Sequence, residues 1–218
     1  MQAFRIQGGN KLNGDVVPQG AKNEALQIIC ASLLTSEEVV ISNIPNIIDV
    51  NKLINLLSSI GVKVKKINPN KYSFKAEKIN LKSLSSEKFK TDGKSIRGSI
   101  MIVGPLLARF GVASIPRPGG DKIGRRRLDT HFGGLIKLGA QFTYDKESRF
   151  YSVKAKKLVG TYILMEEASV TGTANIIMAA SLAKGETTIY NAACEPYIQQ
   201  LCKLLISMGA KISGLGSN

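Results

Sequence analysis

Histidine is almost missing from this chain: His131 is the single example in 218 residues. That excludes the usual multi-histidine metal centres. Cysteine is nearly as scarce. Cys30, Cys194 and Cys202 cannot close a disulfide framework, and none has a partner at zinc-finger spacing. Acidic residues are few as well, 16 against 30 lysines and arginines, which leaves a net charge of +14. Long apolar runs are absent: the longest, Ile100–Leu107 and Ile176–Ala183, fall far short of a bilayer span. The opening residues MQAFRIQGGN contain no apolar signal region, so a cytoplasmic protein with no membrane partner is expected. No metal or organic cofactor is indicated. The remainder is 44% hydrophobic and 21% charged, enough to bury a core and unlike disordered or fibrous chains.

The excess of positive charge points to an anionic partner: nucleic acid, a phosphorylated metabolite or a nucleotide. Most of the cations are scattered lysines, which solubilise a surface without choosing a target. Arginine is more selective. Arg117, Arg125, Arg126 and Arg127 crowd into one short stretch, and the planar guanidinium fork suits bidentate phosphate recognition.

An internal repeat organises the chain. LINLLSSIGVKV (53–64), FGGLIKLGAQF (132–142) and QQLCKLLISMGAKI (199–212) end alike, with Gly61, Gly139 and Gly209 in equivalent places. Upstream of each lies an apolar run, Glu24–Leu34, Arg97–Phe110 and Gly172–Ala183, followed by the strand-like VVISNIP, GVASIPRP and GETTIYNAA. Leu53, Ile54, Leu56, Leu57 and Ile60 have the spacing of a half-buried helix, which Gly61 ends as a left-handed cap. Val62 and Val64 alternate with Lys63 and Lys65, INPNKY turns the chain, and Tyr72–Ala76 returns. Gln141–Tyr144 and Phe150–Lys154 repeat that hairpin around DKES. The charged segment Glu77–Lys94 reads as a connection between units, and Lys156–Gly160 as a shorter one. Three βαβαββ-like units therefore predict one α/β domain with pseudo-threefold symmetry, its apolar helices inside and its sheets outside.

Three motifs then carry a family resemblance: GAKN at Gly20–Asn23, RGSIMIVGPLLARFG at 97–111 and RPGGDKIGRRRLDTH at 117–131. The chain resembles the UDP-N-acetylglucosamine enolpyruvyl transferases from FRIQGG through GAKISG. The resemblance implies an inside-out α/β fold of two domains. It also implies transfer of the enolpyruvyl group of phosphoenolpyruvate to the sugar 3-hydroxyl of UDP-N-acetylglucosamine, with release of phosphate, at the start of peptidoglycan synthesis. Family members are about twice as long. Residues 1–20 are expected to supply the first strand of a missing second domain. Residues 21–213 then form the catalytic-loop domain, with repeats at about 21–76, 95–155 and 160–213. Residues 214–218 begin the crossover back, so the chain is expected to be a half-enzyme whose partner is that second domain.

Residue by residue, the resemblance gives Lys22 contact with phosphoenolpyruvate and the reacting centre, and gives Asn23 the sugar. Taken alone, the pair reads as a solvated lysine beside an N-cap asparagine. Arg97 matches a position that binds the phosphate of phosphoenolpyruvate; alone, it reads as a surface ion pair. Arg126 matches an arginine at the mobile loop, whereas Arg125 and Arg127 carry no such match and read as solvated loop charge. Asp121, on the Pro- and Gly-rich lid 116–124, stands where most members carry a cysteine linked to general-acid chemistry and alkylated by fosfomycin. That substitution puts fosfomycin sensitivity in doubt; alone, Asp121 is turn chemistry. Leu128, Asp129 and His131 match the uridine side, although Asp129 also suits a helix cap and His131 a satisfied structural histidine. Ser169, Val170, Thr171 and Gly172 precede the third apolar helix, a place for a diphosphate because the helix start offers free N–H groups. Glu167 replaces a lysine found there in many members. Cys194 and Cys202 read as structural or incidental thiols. Two alternatives stand beside this reading: the synthase acting on shikimate 3-phosphate, and a basic RNA-binding or RNA-end-processing module. The second lacks exposed aromatics interleaved with its basic residues, so a nucleic-acid partner is disfavoured.

Overall fold

Each of the three units turns on the same glycine. In a computed structural model, which describes residues 3–119 and 127–217, Gly61, Gly139 and Gly209 have φ of 105°, 102° and 104°. Their amides bond to Ser58, Ile136 and Ile206 at 3.1, 2.9 and 2.9 Å. The next amides, of Val62, Ala140 and Ala210, reach back to Leu57, Leu135 and Leu205 at 3.1, 3.0 and 2.9 Å. This is one Schellman turn built three times, and its left-handed residue favours glycine because no Cβ meets the backbone.

The elements on either side follow the repeat in part: among the described residues units one and two run αβαββ without the expected leading strand, and unit three runs βαβα. Unit one is α1 (Lys22–Ala31), β1 (Glu38–Ile41), α2 (Ile48–Ser59), β2 (Lys63–Asn68) and β3 (Lys71–Lys75). After it comes a connection that is itself helical: a 3-10 turn at Leu81–Ser85, then α3 (Glu87–Lys94). The Ser86 hydroxyl accepts from the Phe89 amide to cap α3, and Phe89 itself is fully buried. Unit two is α4 (Val103–Phe110), β4 (Val112–Pro116), α5 (Asp129–Lys137), β5 (Gln141–Asp145) and β6 (Phe150–Lys154). Unit three holds β7 (Tyr162–Leu164), α6 (Val170–Ala180), β8 (Thr188–Tyr190) and α7 (Pro196–Ser207). The second apolar run divides into a 3-10 turn, Arg97–Ile102, and α4. Pro105 lacks an amide hydrogen and sits in the first turn of α4, where none is needed.

Two sheets are antiparallel, in the orders β1-β3-β2 and β4-β6-β5, and the third pairs β7 with β8 in parallel. In the antiparallel sheets the middle strand is the deep one. Phe74 of β3 lies between Val39 and Val64, and Val153 of β6 lies between Ala113 and Phe142. Both are essentially inaccessible, while β2 and β5 present mostly exposed side chains. The α6 segment Gly172–Ile176 is buried on consecutive positions, the pattern of an interior helix, whereas α2 buries only Val50, Leu53, Ile54, Leu56 and Leu57. Helices inside and sheets outside is the arrangement expected from the apolar runs.

Close helix contacts depend on missing side chains. A Cβ on Gly104 of α4 would stand 2.4 Å from the Asn175 carbonyl oxygen of α6. A Cβ on Gly134 of α5 would stand 2.2 Å from Cδ1 of Ile176. Arg109, at the end of α4, ties units one and two together. Its Nη1 donates to the carbonyls of Leu33, Thr35 and Ala76 at 3.1, 2.7 and 2.6 Å, so this arginine serves the fold. Among the described residues no helix is long and apolar enough to cross a membrane.

Candidate functional site

The starts of the three inner segments meet at one cleft of about 480 Å³. Lys22 and Asn23 come from the first turn of α1, Arg97 and Gly98 from the 3-10 turn before α4, and Ser169, Val170 and Thr171 from the start of α6. Helix starts expose unpaired N–H groups and positive dipole ends, so their convergence favours an anion.

The local chemistry of each start differs. At α1 the cap position is Ala21, with no side-chain cap, and Asn23 lies inside the first turn. The cap reading of Asn23 therefore fails, and its amide is exposed toward the cleft. Lys22 in a first helical turn opposes the dipole, and it forms an ion pair with Asp49, from the first turn of α2. Both partners are substantially exposed, so the pair contributes little to stability and orients the ammonium more than it anchors the fold. At α6, Ser169 is a true cap: its Oγ accepts from the Gly172 amide at 3.2 Å.

Arg97 Nη2 donates to the Arg127 carbonyl at 3.4 Å, and the Arg127 Nε pairs with the Asp129 carboxylate. Leu128 takes the cap position of α5, and Asp129 becomes its first residue, so Asp129 is not the side-chain cap that the sequence allowed. Leu128 is buried; neither it, Asp129 nor His131 lines the cleft, although Arg127 does. His131 is 1% exposed and lies behind the wall, where its ring reaches Thr171 and Asn175. Burial first, and then the nearby Arg97 charge, push its pKa down to about 3. Asp121 and Arg126 lie outside the described residues, as does most of the proposed lid.

The cleft also holds Asp49 and Gln27, which sequence reasoning passed over, and Arg127, which it read as solvated loop charge; with Glu167 the described wall carries three cations against two carboxylates. Glu167 had drawn notice only as a replaced lysine. Gln27 is 1% exposed, and its Oε1 has no hydrogen-bond partner among the described residues. A glutamine within an apolar run was the available signal for it; Asp49 had only its place at a helix start.

An interior-helix α/β unit that opens three helix starts onto a basic cleft is the architecture of enolpyruvyl transferases. The chain belongs to the EPSP synthase (3-phosphoshikimate 1-carboxyvinyltransferase) family, whose sequence model matches residues 6–218. It is 62% identical over all 218 residues to the UDP-N-acetylglucosamine 1-carboxyvinyltransferases of Bacteroides fragilis and Bacteroides thetaiotaomicron, and spans 50% of each. The chain thus spans about half the length of the curated relatives it matches. Among solved structures, the enolpyruvyl transferase NikO from Streptomyces tendae superposes with a TM-score of 0.78 at 19% identity, over 94% of this chain and 47% of that one. That likeness concerns the fold.

Proposed function

We propose that this chain is the catalytic-loop half of an enzyme that transfers the enolpyruvyl group of phosphoenolpyruvate to the 3-hydroxyl of UDP-N-acetylglucosamine. The observation that carries the reading is the 62% identity over all 218 residues to UDP-N-acetylglucosamine 1-carboxyvinyltransferases, in a chain that gathers Lys22, Arg97 and Ser169–Thr171 at one cleft. The sugar O3 gives up its proton to a base expected from the missing half and bonds to C2 of phosphoenolpyruvate, while a proton reaches the methylene carbon. The bond to the phosphate oxygen then breaks, a proton leaves the new methyl group, and enolpyruvyl-sugar and inorganic phosphate depart. Lys22 and Arg97, with Arg126, hold the phosphoenolpyruvate anion and stabilise the charge of the addition intermediate. Asp121 delivers or accepts the proton at the lid. Asn23 orients the sugar, and Ser169, Val170 and Thr171 take the diphosphate, with Leu128 and Asp129 toward the nucleoside. Residues 1–20 belong to the second domain, 21–213 form this one, and 214–218 lead back. The proposed setting is cytoplasmic peptidoglycan synthesis, and a carboxylate at Asp121 removes the thiol that fosfomycin alkylates.

Phosphate release from phosphoenolpyruvate tests this. The 218-residue chain alone is expected to release none. Supplied with the C-terminal half of the Bacteroides fragilis relative, it is expected to release phosphate only when UDP-N-acetylglucosamine is present. Release that instead requires shikimate 3-phosphate would overturn the assignment of the acceptor.

A further inference from the structure

Three buried polar groups, the Gly104 amide, Asn175 and His131, lead from the interior to Thr171 in the wall of the cleft. Their hydrogens can be assigned from two backbone groups whose roles are not in question. The Gly104 amide can only donate, and it meets Asn175 Oδ1 at 2.8 Å. The Ile100 carbonyl can only accept, and it meets Asn175 Nδ2 at 2.9 Å. Reversing the Asn175 amide would set donor against donor and acceptor against acceptor, so its orientation is fixed. Its second Nδ2 hydrogen points to His131 Nδ1 at 2.8 Å, which must therefore be bare. A neutral imidazole then carries its proton on Nε2, and Nε2 lies 3.0 Å from Thr171 Oγ1. Thr171 consequently accepts from His131. Among the described residues nothing accepts the hydroxyl's own proton, and Thr171 stands in the wall of the cleft.

We infer that His131 is a positioning residue: through the Gly104–Asn175–His131 chain it makes Thr171 an obligate hydrogen-bond donor toward an anionic oxygen held in the cleft. This rests on the proposed function, in which that oxygen belongs to the diphosphate of the nucleotide sugar. Asn175 and Thr171 are one turn apart on α6, so the relay runs along a single helix face. The ring stays uncharged at neutral pH because it is buried beside Arg97, which keeps the proton count of the relay constant. A serine or threonine without such a partner rotates its hydroxyl to suit either donor or acceptor. Here the choice is made before the ligand arrives, which favours an acceptor-only group such as a phosphoryl oxygen and disfavours a ligand donor.

The single histidine makes the test free of assignment. A two-bond proton–nitrogen NMR spectrum of the ligand-free, nitrogen-15-labelled chain reads the tautomer directly. The expected spectrum has protonated Nε2 and bare Nδ1, unchanged between about pH 8 and pH 5. Protonated Nδ1, or a mixture of tautomers, would overturn the relay. Affinity is measured in parallel with two probes, UDP-N-acetylglucosamine and inorganic pyrophosphate. Thr171→Val should weaken binding about tenfold and Thr171→Ser should recover most of that loss. Equal binding by wild type and Thr171→Val overturns the relay. A loss seen with pyrophosphate, in a chain that does not bind UDP-N-acetylglucosamine, supports the donor and removes the proposed acceptor.

Discussion

The three glycine turns and the three inner helix starts answer opposite demands on the same repeat. The turns at Gly61, Gly139 and Gly209 share their φ values to within a few degrees and share their hydrogen bonds, because each reverses an outer helix in the same way. The starts share almost nothing. One has an uncapped lysine, one an arginine on a 3-10 turn, and one a serine cap. They open onto one cleft, and the nucleotide sugar proposed to bind there has no threefold symmetry to match. Repetition is retained where the task is geometric and lost where it is chemical.

That division meets its hardest test at Gly104, an unrepeated residue that also sets helix spacing. An alanine there would press its Cβ against the Asn175 backbone oxygen at 2.4 Å and the side-chain Oδ1 at 2.8 Å. Backbone cannot swing aside as a side-chain tip can, so Gly104→Ala should cost about 3 kcal/mol of unfolding free energy or more. Urea denaturation measures it. A loss below about 1 kcal/mol would mean that α4 and α6 separate easily, and the close approach would lose its structural role.

Next in size is the cost of burying His131. An unfolded histidine takes a proton near pH 6.5, whereas the folded ring resists protonation down to about 3. As pH falls from 6.5 toward 3, the unfolded chain binds a proton that the folded chain refuses, so stability drops. The full contribution is present above about pH 6.5, and about 2 kcal/mol should be gone by pH 5. Glu24, whose burial raises its pKa, works in the opposite direction and softens the slope at the acid end. Chemical denaturation at pH 7, 6 and 5 reads the effect, and His131→Asn should flatten it. A wild-type midpoint unchanged across that range would place the folded ring's pKa close to its ordinary value.

The same division explains what the sequence disclosed. Glycine turns, apolar inner helices and alternating hairpin strands are local signals: Lys71–Lys75, Gln141–Asp145 and Phe150–Lys154 lie within a residue of where periodicity put them, whereas the end of α6 and the short strands β1 and β8 fall three or more residues from the motif bounds. The helix α3 escaped notice because Phe89 is its one fully buried large side chain among charged neighbours, so no apolar stripe marked it. In the cleft, Lys22, Arg97 and Ser169–Thr171 were legible through family resemblance, each from its own motif. Asp49 and the place of Arg127 in the wall were not, because only tertiary packing brings α2 and the start of α5 to α1; Gln27, on α1 itself, left only the signal of a glutamine within an apolar run. Asn175 did leave a trace, a lone amide within TANIIMAA, but its partners are more than 40 residues away in sequence.

The smallest expected differences, those among the three turns, sharpen the repeated side. Although the three glycines share one backbone conformation, their surroundings differ. A Cβ on Gly209 would meet nothing within 4 Å, one on Gly139 only Lys157 O at 3.5 Å, and one on Gly61 the Lys78 carbonyl oxygen at 2.6 Å. Gly209→Ala therefore isolates the conformational penalty, about 1–2 kcal/mol for a non-glycine residue held left-handed. Gly139→Ala should match it, since its one contact is ordinary. Gly61→Ala should lose about 1 kcal/mol more, because the clash is with backbone leading into the connection at Ile79 and Asn80. Thermal or urea unfolding of the three variants gives the order directly. Equal losses at all three would mean that the segment after β3 yields freely. A larger loss at Gly209 than at Gly61 would mean that the end of α7 is held by contacts the shared turn does not account for.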